Sequence, residues 1–262
     1  MSKMKPFIYI ASLRRTGSTV LSEALTLLPY SFIFLEPNLG KDRFSIKKRD
    51  AGMFLKHGID LEAFKKNWSE NKQKYIIESF KRELMPHLAS CVSQIGVKEI
   101  HHDGWRKYRQ HFPEMKFLLT GRDPRDIYIS LYYRMKSGKG NFPGIFCPEA
   151  VANDLNQEFQ RQIEMDKEND CLKIRYEDLC TNEKIFDKIL SFVESEIPAI
   201  GAVGNFNALN PKRQDEYELH GGHITTKRVN RRHHEPDKNL VMEAQRTFDL
   251  MPEYCKFWDY KK

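Results

Sequence analysis

The chain has 262 residues, with 43 Lys+Arg against 36 Asp+Glu for a formal net charge of +7, and is 40% hydrophobic, 12% aromatic and 30% charged. That much apolar material excludes a disordered, collagen-like or low-complexity polymer. No run approaches the ~18 consecutive apolar residues of a membrane span, and the apolar stretch Phe7 to Ala11 meets Arg14 and Arg15 too soon for a secretory leader. The five cysteines (Cys91, Cys147, Cys171, Cys180, Cys255) are scattered and form no C-x-x-C pair. They argue against a disulfide framework or zinc knuckle and for a reducing, cytoplasmic compartment. The basic excess suits an anionic ligand. Nucleic acid is not expected, because the densest basic cluster, Lys227-Arg228 with Arg231-Arg232, is short and has no partner elsewhere.

In chain order, Phe7 to Ala11 predicts a strand buried on both faces. After a polar turn from Ser12 to Ser18, Val20, Leu21, Ala24, Leu25 and Leu28 recur at helical spacing up to Pro29. Ser31 to Leu35 predicts a second strand ended by Glu36-Pro37, which completes a βαβ unit with parallel strands. Residues 38 to 95 read as mostly helical, with one apolar stripe over Lys72 to Gln94 that Pro86 is expected to kink or break. Strands follow at Ile95 to Ile100 and Met115 to Thr120, then a helix from Pro124 to Lys136 capped by Asp123. Beyond a Gly- and Pro-rich loop come a helix over Glu149 to Lys167, a strand over Cys171 to Tyr176 and a helix over Asn182 to Glu194. The segment from Ile197 to Asp237 carries little periodicity, and a last helix is expected from Asp237 to Leu250. This alternation predicts an α/β fold, a three-layer α/β/α arrangement around a mostly parallel sheet, with one domain over residues 1–262.

Ligands of such sheets bind beyond the carboxyl ends of the strands. The loop after the first strand reads Leu13-Arg14-Arg15-Thr16-Gly17-Ser18-Thr19. It offers two guanidinium groups, a glycine that permits close backbone approach, and three hydroxyls at a helix N-terminus, all suited to an anion. From capping chemistry alone, a helix start with two solvated arginines is an equal reading. A nucleoside-triphosphate loop needs Gly-Lys-Ser/Thr, and no Lys follows Gly17.

Arg15-Thr16-Gly17-Ser18-Thr19 instead resembles the 5′-phosphosulfate loop of the sulfotransferase family, position by position. The resemblance implies a P-loop-like sulfotransferase fold, 3′-phosphoadenosine 5′-phosphosulfate (PAPS) as sulfuryl donor, and no metal. Thr120-Gly121-Arg122-Asp123-Pro124-Arg125-Asp126 resembles the family's 3′-phosphate motif, with Ser130 eight positions after Arg122. A strand-end Arg offers a fork to phosphate oxygens and the Ser hydroxyl completes the cradle. Phe34-Leu35-Glu36-Pro37 resembles the Leu-x-Glu-Pro segment of Golgi-type carbohydrate sulfotransferases, where the Glu is the catalytic base. Arg175-Tyr176-Glu177-Asp178-Leu179 matches a further family segment, with a structural role expected. In the C-terminal part, Gly221 to Arg232 is the candidate for the family's basic loop over the nucleotide, with Lys227, Arg228, Arg231 or Arg232 as contacts; the family's Arg-Trp is missing there, since His233 follows Arg232.

The expected donor site is therefore Arg14, Arg15, Thr16, Gly17, Ser18, Thr19, Arg122, Ser130, Lys227, Arg228 and Arg231. Arg15 is assigned the developing charge on the leaving phosphate and Glu36 the acceptor proton, the two facing each other from neighbouring strands. Arg14 is the alternative cation, His101 and His102 are alternative bases, and Lys98 is a weaker candidate for orienting the sulfuryl group. Segments 39–70 and 137–150 are expected to shape the pocket of a hydroxyl-bearing acceptor, a carbohydrate or other small molecule. Trp68, Trp105, Tyr108, Phe142 and Phe146 are candidate stacking residues, though aromatics are more often core. Two rival readings are a nucleotide-kinase-like phosphotransferase and a non-catalytic module that binds a sulfated or phosphorylated ligand.

Overall fold

Short runs of aromatic and β-branched residues form five strands: β1 (Ile8–Ser12), β2 (Ser31–Leu35), β3 (Gln94–Glu99), β4 (Lys116–Gly121) and β5 (Cys171–Arg175). The computed structural model describes residues 4–71, 74–138, 140, 142–182, 184–198 and 229–262. All four pairings are parallel and the strand order is β2-β3-β1-β4-β5. β1 and β3 are buried along their whole length, as a central parallel sheet requires. Successive side chains alternate between faces. Phe7, Tyr9, Phe32, Phe34, Val97 and Phe117 enter one core, and Ile8, Ile10, Ile33, Leu118 and Ile174 the other.

Helices cover both faces: α1 (Ser18–Ala24), α2 (Lys48–Leu55), α3 (Leu61–Asn71), α4 (Ile76–Ser79), α5 (Met85–Leu88), α6 (Trp105–His111) and α7 (Pro124–Lys136). They continue as α8 (Pro148–Glu168), α9 (Tyr176–Thr181), α10 (Ile185–Phe192), α11 (Lys238–Asp249) and α12 (Pro252–Phe257). The result is the expected three-layer α/β/α architecture with a parallel central sheet. Among the described residues no helix is long and apolar enough to cross a membrane.

Four local expectations are corrected. β1 and β2 are not neighbours, because β3 inserts between them. Pro86 does not break the helix: a π-helical stretch, Phe80–Leu84, joins α4 to α5. The wider turn before Pro86 relieves the clash of its ring with the preceding turn. The helix expected over Asn182 to Glu194 forms as α10, but a short helix not expected, α9, precedes it, with the Asn182 side chain accepting from the Lys184 N–H at 3.1 Å in the turn between them. Finally, α12 lies beyond the last helix the periodicity indicated.

Candidate active site

The turn leaving β1 bends through two left-handed residues, Arg15 (φ 67°) and Gly17 (φ 80°). For a residue with a side chain that conformation costs roughly 1–2 kcal/mol. Gly17 is required twice over, because a Cβ there would stand 2.3 Å from Cδ2 of Tyr176. Thr16 is buried; its hydroxyl bonds the Leu13 carbonyl at 2.8 Å and the Thr120 hydroxyl at 2.7 Å, which ties the turn to β4. The Thr16 side chain therefore faces inward. Ser18 and Thr19 open α1, which has Gly17 at its cap position and no side-chain cap for its first-turn N–H groups.

The second expected motif folds against this turn. Asp123 caps α7 by accepting from the Arg125 N–H at 2.9 Å, and Ser130 follows two helical turns later on the same face. The Ser130 hydroxyl accepts from Nε of Arg15 at 2.9 Å. Arg122 is buried, donates to the Arg15 carbonyl at 3.2 Å and stacks with its guanidinium carbon 4.3 Å from the Tyr176 ring centroid. Arg15, distant in sequence from Arg122 and Ser130, thus meets them at the carboxyl edge of β1 and β4.

Residues outside the expected set hold that spot. Tyr176 fills the space over Gly17 and under Arg122. Glu177 accepts from the Asp123 N–H at 3.1 Å and from the Tyr260 hydroxyl at 2.7 Å. The buried Tyr254 hydroxyl accepts from the Arg122 N–H at 2.9 Å and donates to the Arg122 carbonyl at 3.0 Å. The Arg-Tyr-Glu-Asp-Leu segment signals the first two of these in the sequence, whereas nothing in its pattern singles out Tyr254.

Of the C-terminal basic residues, Lys227 and Arg228 lie outside the described residues. The buried Asp126 carboxylate accepts from the backbone N–H groups of Arg231 and Arg232 at 3.2 Å each, docking this segment on α7. Arg232 pairs with Asp123 at 3.0 Å, while the Arg231 guanidinium lies 4.2 Å from the Tyr133 ring centroid. Arg14 turns toward α8, 3.5 Å from Asp154 and 3.4 Å from Nε2 of His101. On the same helix, Gln162 donates to the carbonyls of Ala11 at 2.9 Å and Thr120 at 3.2 Å, binding the ends of β1 and β4 together.

Glu36 occupies the other flank. It follows β2, with φ 52°, and its N–H donates to the Lys98 carbonyl at 2.7 Å. Its carboxylate forms a close ion pair with the buried Lys98 ammonium. Burial pushes the Glu36 carboxyl up, but the Lys98 charge and hydrogen bond outweigh it and hold the group below the ordinary carboxylate range. Since β3 intervenes, Glu36 and the end of β1 stand two strand spacings apart, roughly 10 Å. Arg15 is engaged on the β4 side and Glu36 on the β3 side, so the two expected partners do not face each other from adjacent strands.

Neither histidine offers a free nitrogen. His102 is fully buried; Nε2 bonds the Ser12 carbonyl at 3.1 Å and must donate, so Nδ1, 3.2 Å from the Tyr9 hydroxyl, accepts. Burial pushes its pKa down to about 4. It is a neutral structural residue. His101 donates through Nδ1 to Glu158 at 3.1 Å and presents Nε2 to Arg14. Trp105 and Tyr108 are core residues, while Trp68, Phe142 and Phe146 are half-buried.

The fold has solved counterparts. The sulfotransferase domain from the Synechococcus PCC 7002 olefin synthase is 15% identical, superposes with a TM-score of 0.59 and covers 97% of this chain and 96% of its own. Mouse sulfotransferase SULT7A1 complexed with PAP is 14% identical over 96% of this chain and 85% of its own, with a TM-score of 0.48. Retinol dehydratase in complex with androsterone and inactive cofactor PAP is 14% identical over 98% and 82%, with a TM-score of 0.49. No curated protein sequence matches the chain. The family model described as "Sulfotransferase family" matches residues 6–198, and on that match the chain belongs to the sulfotransferase family.

Proposed function

We propose that residues 1–262 act as one domain that transfers a sulfuryl group from PAPS to an acceptor hydroxyl, in the manner of the carbohydrate sulfotransferases whose Leu-x-Glu-Pro segment Leu35-Glu36-Pro37 resembles. The observation that carries this reading is the convergence of Arg15, Arg122 and Ser130, two cations and a hydroxyl drawn from separate motifs onto one strand edge. That donor set fits a nucleotide carrying phosphates at two positions.

PAPS supplies a sulfuryl group already activated by its phosphate leaving group. Arg15 stabilises the charge left on that phosphate without surrendering its own proton, as guanidinium remains charged at neutral pH. Glu36 is ionised, held so by Lys98, and takes the acceptor proton. Lys98 serves in this scheme to orient Glu36. The five free thiols support a reducing, cytoplasmic setting.

Titration calorimetry with adenosine 3′,5′-bisphosphate against ATP–Mg²⁺, with and without EDTA, tests the donor. Tight bisphosphate binding that is indifferent to EDTA is the expected result, and a preference for ATP–Mg²⁺ overturns it in favour of a phosphotransferase. Labelled PAPS incubated with mixed carbohydrates, phenols and lipids then tests transfer. Bisphosphate binding without label on any acceptor identifies a non-catalytic module instead.

A further inference from the structure

We propose that Glu99 is a positioning residue for Glu36, clamping the turn that presents it; this rests on Glu36 being the base proposed above. The turn Glu36-Pro37-Asn38 is left-handed at both ends, with φ 52° at Glu36 and 60° at Asn38, around a proline that has no N–H to donate. Such a segment needs outside partners to keep its shape. The Asn38 N–H donates to Oε1 of Glu99 at 2.8 Å, and the Tyr108 hydroxyl donates to the same oxygen at 2.9 Å. That hydroxyl in turn accepts the Leu39 N–H at 3.1 Å. Two successive backbone groups beyond Glu36 are therefore held by one buried carboxylate and the tyrosine it orients.

Adjacent residues of a strand project to opposite faces. Lys98 accordingly engages the carboxylate of Glu36 from one side of β3 while Glu99 engages the backbone of Asn38, two residues on, from the other. Glu99 is 2% exposed and Tyr108 1% exposed, so both bonds lie in the interior, where a polar group left unpaired is costly. The Glu99 carbonyl also accepts the Ser12 hydroxyl at 2.7 Å, fixing the same residue to the end of β1. An acid in this place is costly: burial pushes its pKa up to about 7 against the opposing effects of Tyr108, Asn38 and Lys98. The charged and titratable groups around it include Lys98, Glu36, Tyr9 and Tyr108, with Lys41 and His101 lining the same hollow. A clamp needs only the acceptor oxygen Oε1, which both the carboxylate and the acid present when the proton sits on Oε2. Glutamine presents it too.

The test compares Glu99→Ala, Glu99→Gln and Tyr108→Phe by steady-state kinetics, bisphosphate titration and amide hydrogen exchange over residues 37–40. Glu99→Ala is expected to lower kcat by about tenfold or more, with bisphosphate affinity unchanged and faster exchange at Asn38 and Leu39. Glu99→Gln restores both, and its kcat–pH profile overlays that of the parent. Tyr108→Phe keeps the ring and speeds exchange at Leu39, so it decides the matter even where the alanine variant fails to fold. A glutamine variant as impaired as alanine, or exchange at Asn38 and Leu39 unmoved by the alanine and phenylalanine variants, overturns the proposal. Exchange needs no acceptor, so it reads the clamp independently, whereas an active Glu36→Gln enzyme refutes the assignment of the base alone.

Discussion

At Gly17 a methyl group has nowhere to go: φ is 80°, and a Cβ on this residue would lie 2.3 Å from the Tyr176 ring. Gly17→Ala is expected to cost roughly 1–3 kcal/mol of stability and to weaken bisphosphate binding, measured by urea melts and calorimetry on the same preparation. Arg15→Ala and Glu36→Gln should each lower sulfuryl transfer by roughly 100-fold or more, with far-UV circular dichroism unchanged; near-normal turnover of either variant refutes its role. Glu99 and His102 make stability depend on pH in opposite senses. The folded Glu99 pKa of about 7 exceeds its reference of 4.5, so the folded state keeps a proton that the unfolded chain loses. That advantage is complete at low pH and is lost as pH rises from 4.5 through 7. His102, at about 4 against 6.5, is neutral in the fold, so stability falls as pH drops from 6.5 to 4. Glu99→Gln should therefore gain on the parent as pH climbs from 4.5 to 8, by up to roughly 3 kcal/mol in urea melts; a constant difference contradicts the raised pKa. Single residues were legible where the pattern marks the backbone, as at the bend through Gly17 and the strand end before Glu36-Pro37. Glu99 was not, because an acid in a buried strand looks in sequence like any polar alternation.

On the scale of elements, α7 carries the most interlocked contacts. Asp123 caps its first turn, holds Arg125 through two bonds of 2.9 and 2.7 Å, and pairs with Arg232 at 3.0 Å. Asp123→Ala leaves the buried Arg125 without its carboxylate and should cost about 3 kcal/mol or more, well beyond the ~1 kcal/mol of a lost cap. A thermal melt that moves only by the cap's share contradicts this. The boundaries of α7 and β2 were readable from sequence because a Pro, an Asp cap and an apolar run mark them locally. Strand order was not, since hydrophobic pattern marks which residues are buried but not which strand lies alongside; β3 between β1 and β2 is set by long-range pairing. The π-helical stretch before Pro86 escaped for a related reason, because the helix keeps its buried face by widening one turn rather than by ending.

Across the whole molecule, α12 closes on the residue that follows β4. The Tyr254 hydroxyl serves both the N–H and the carbonyl of Arg122, and Trp258 packs so close to Gly121 that a Cβ there would lie 2.4 Å from its ring. Tyr254→Phe should leave the buried Arg122 N–H without a partner and cost about 1–3 kcal/mol, and the bisphosphate dissociation constant should rise with it. Stability that falls while the dissociation constant holds would separate this brace from the ligand site. On the same edge, the central strand β1 divides the carboxyl ends of the sheet into two halves. Beyond the clamped turn Glu36–Leu39, the backbone from Lys41 to Lys47 pairs with none of β1, β4 or α7, so its sequence can change without disturbing their register. A laboratory lineage selected for new acceptors should gather its substitutions on that side and leave the opposite side untouched.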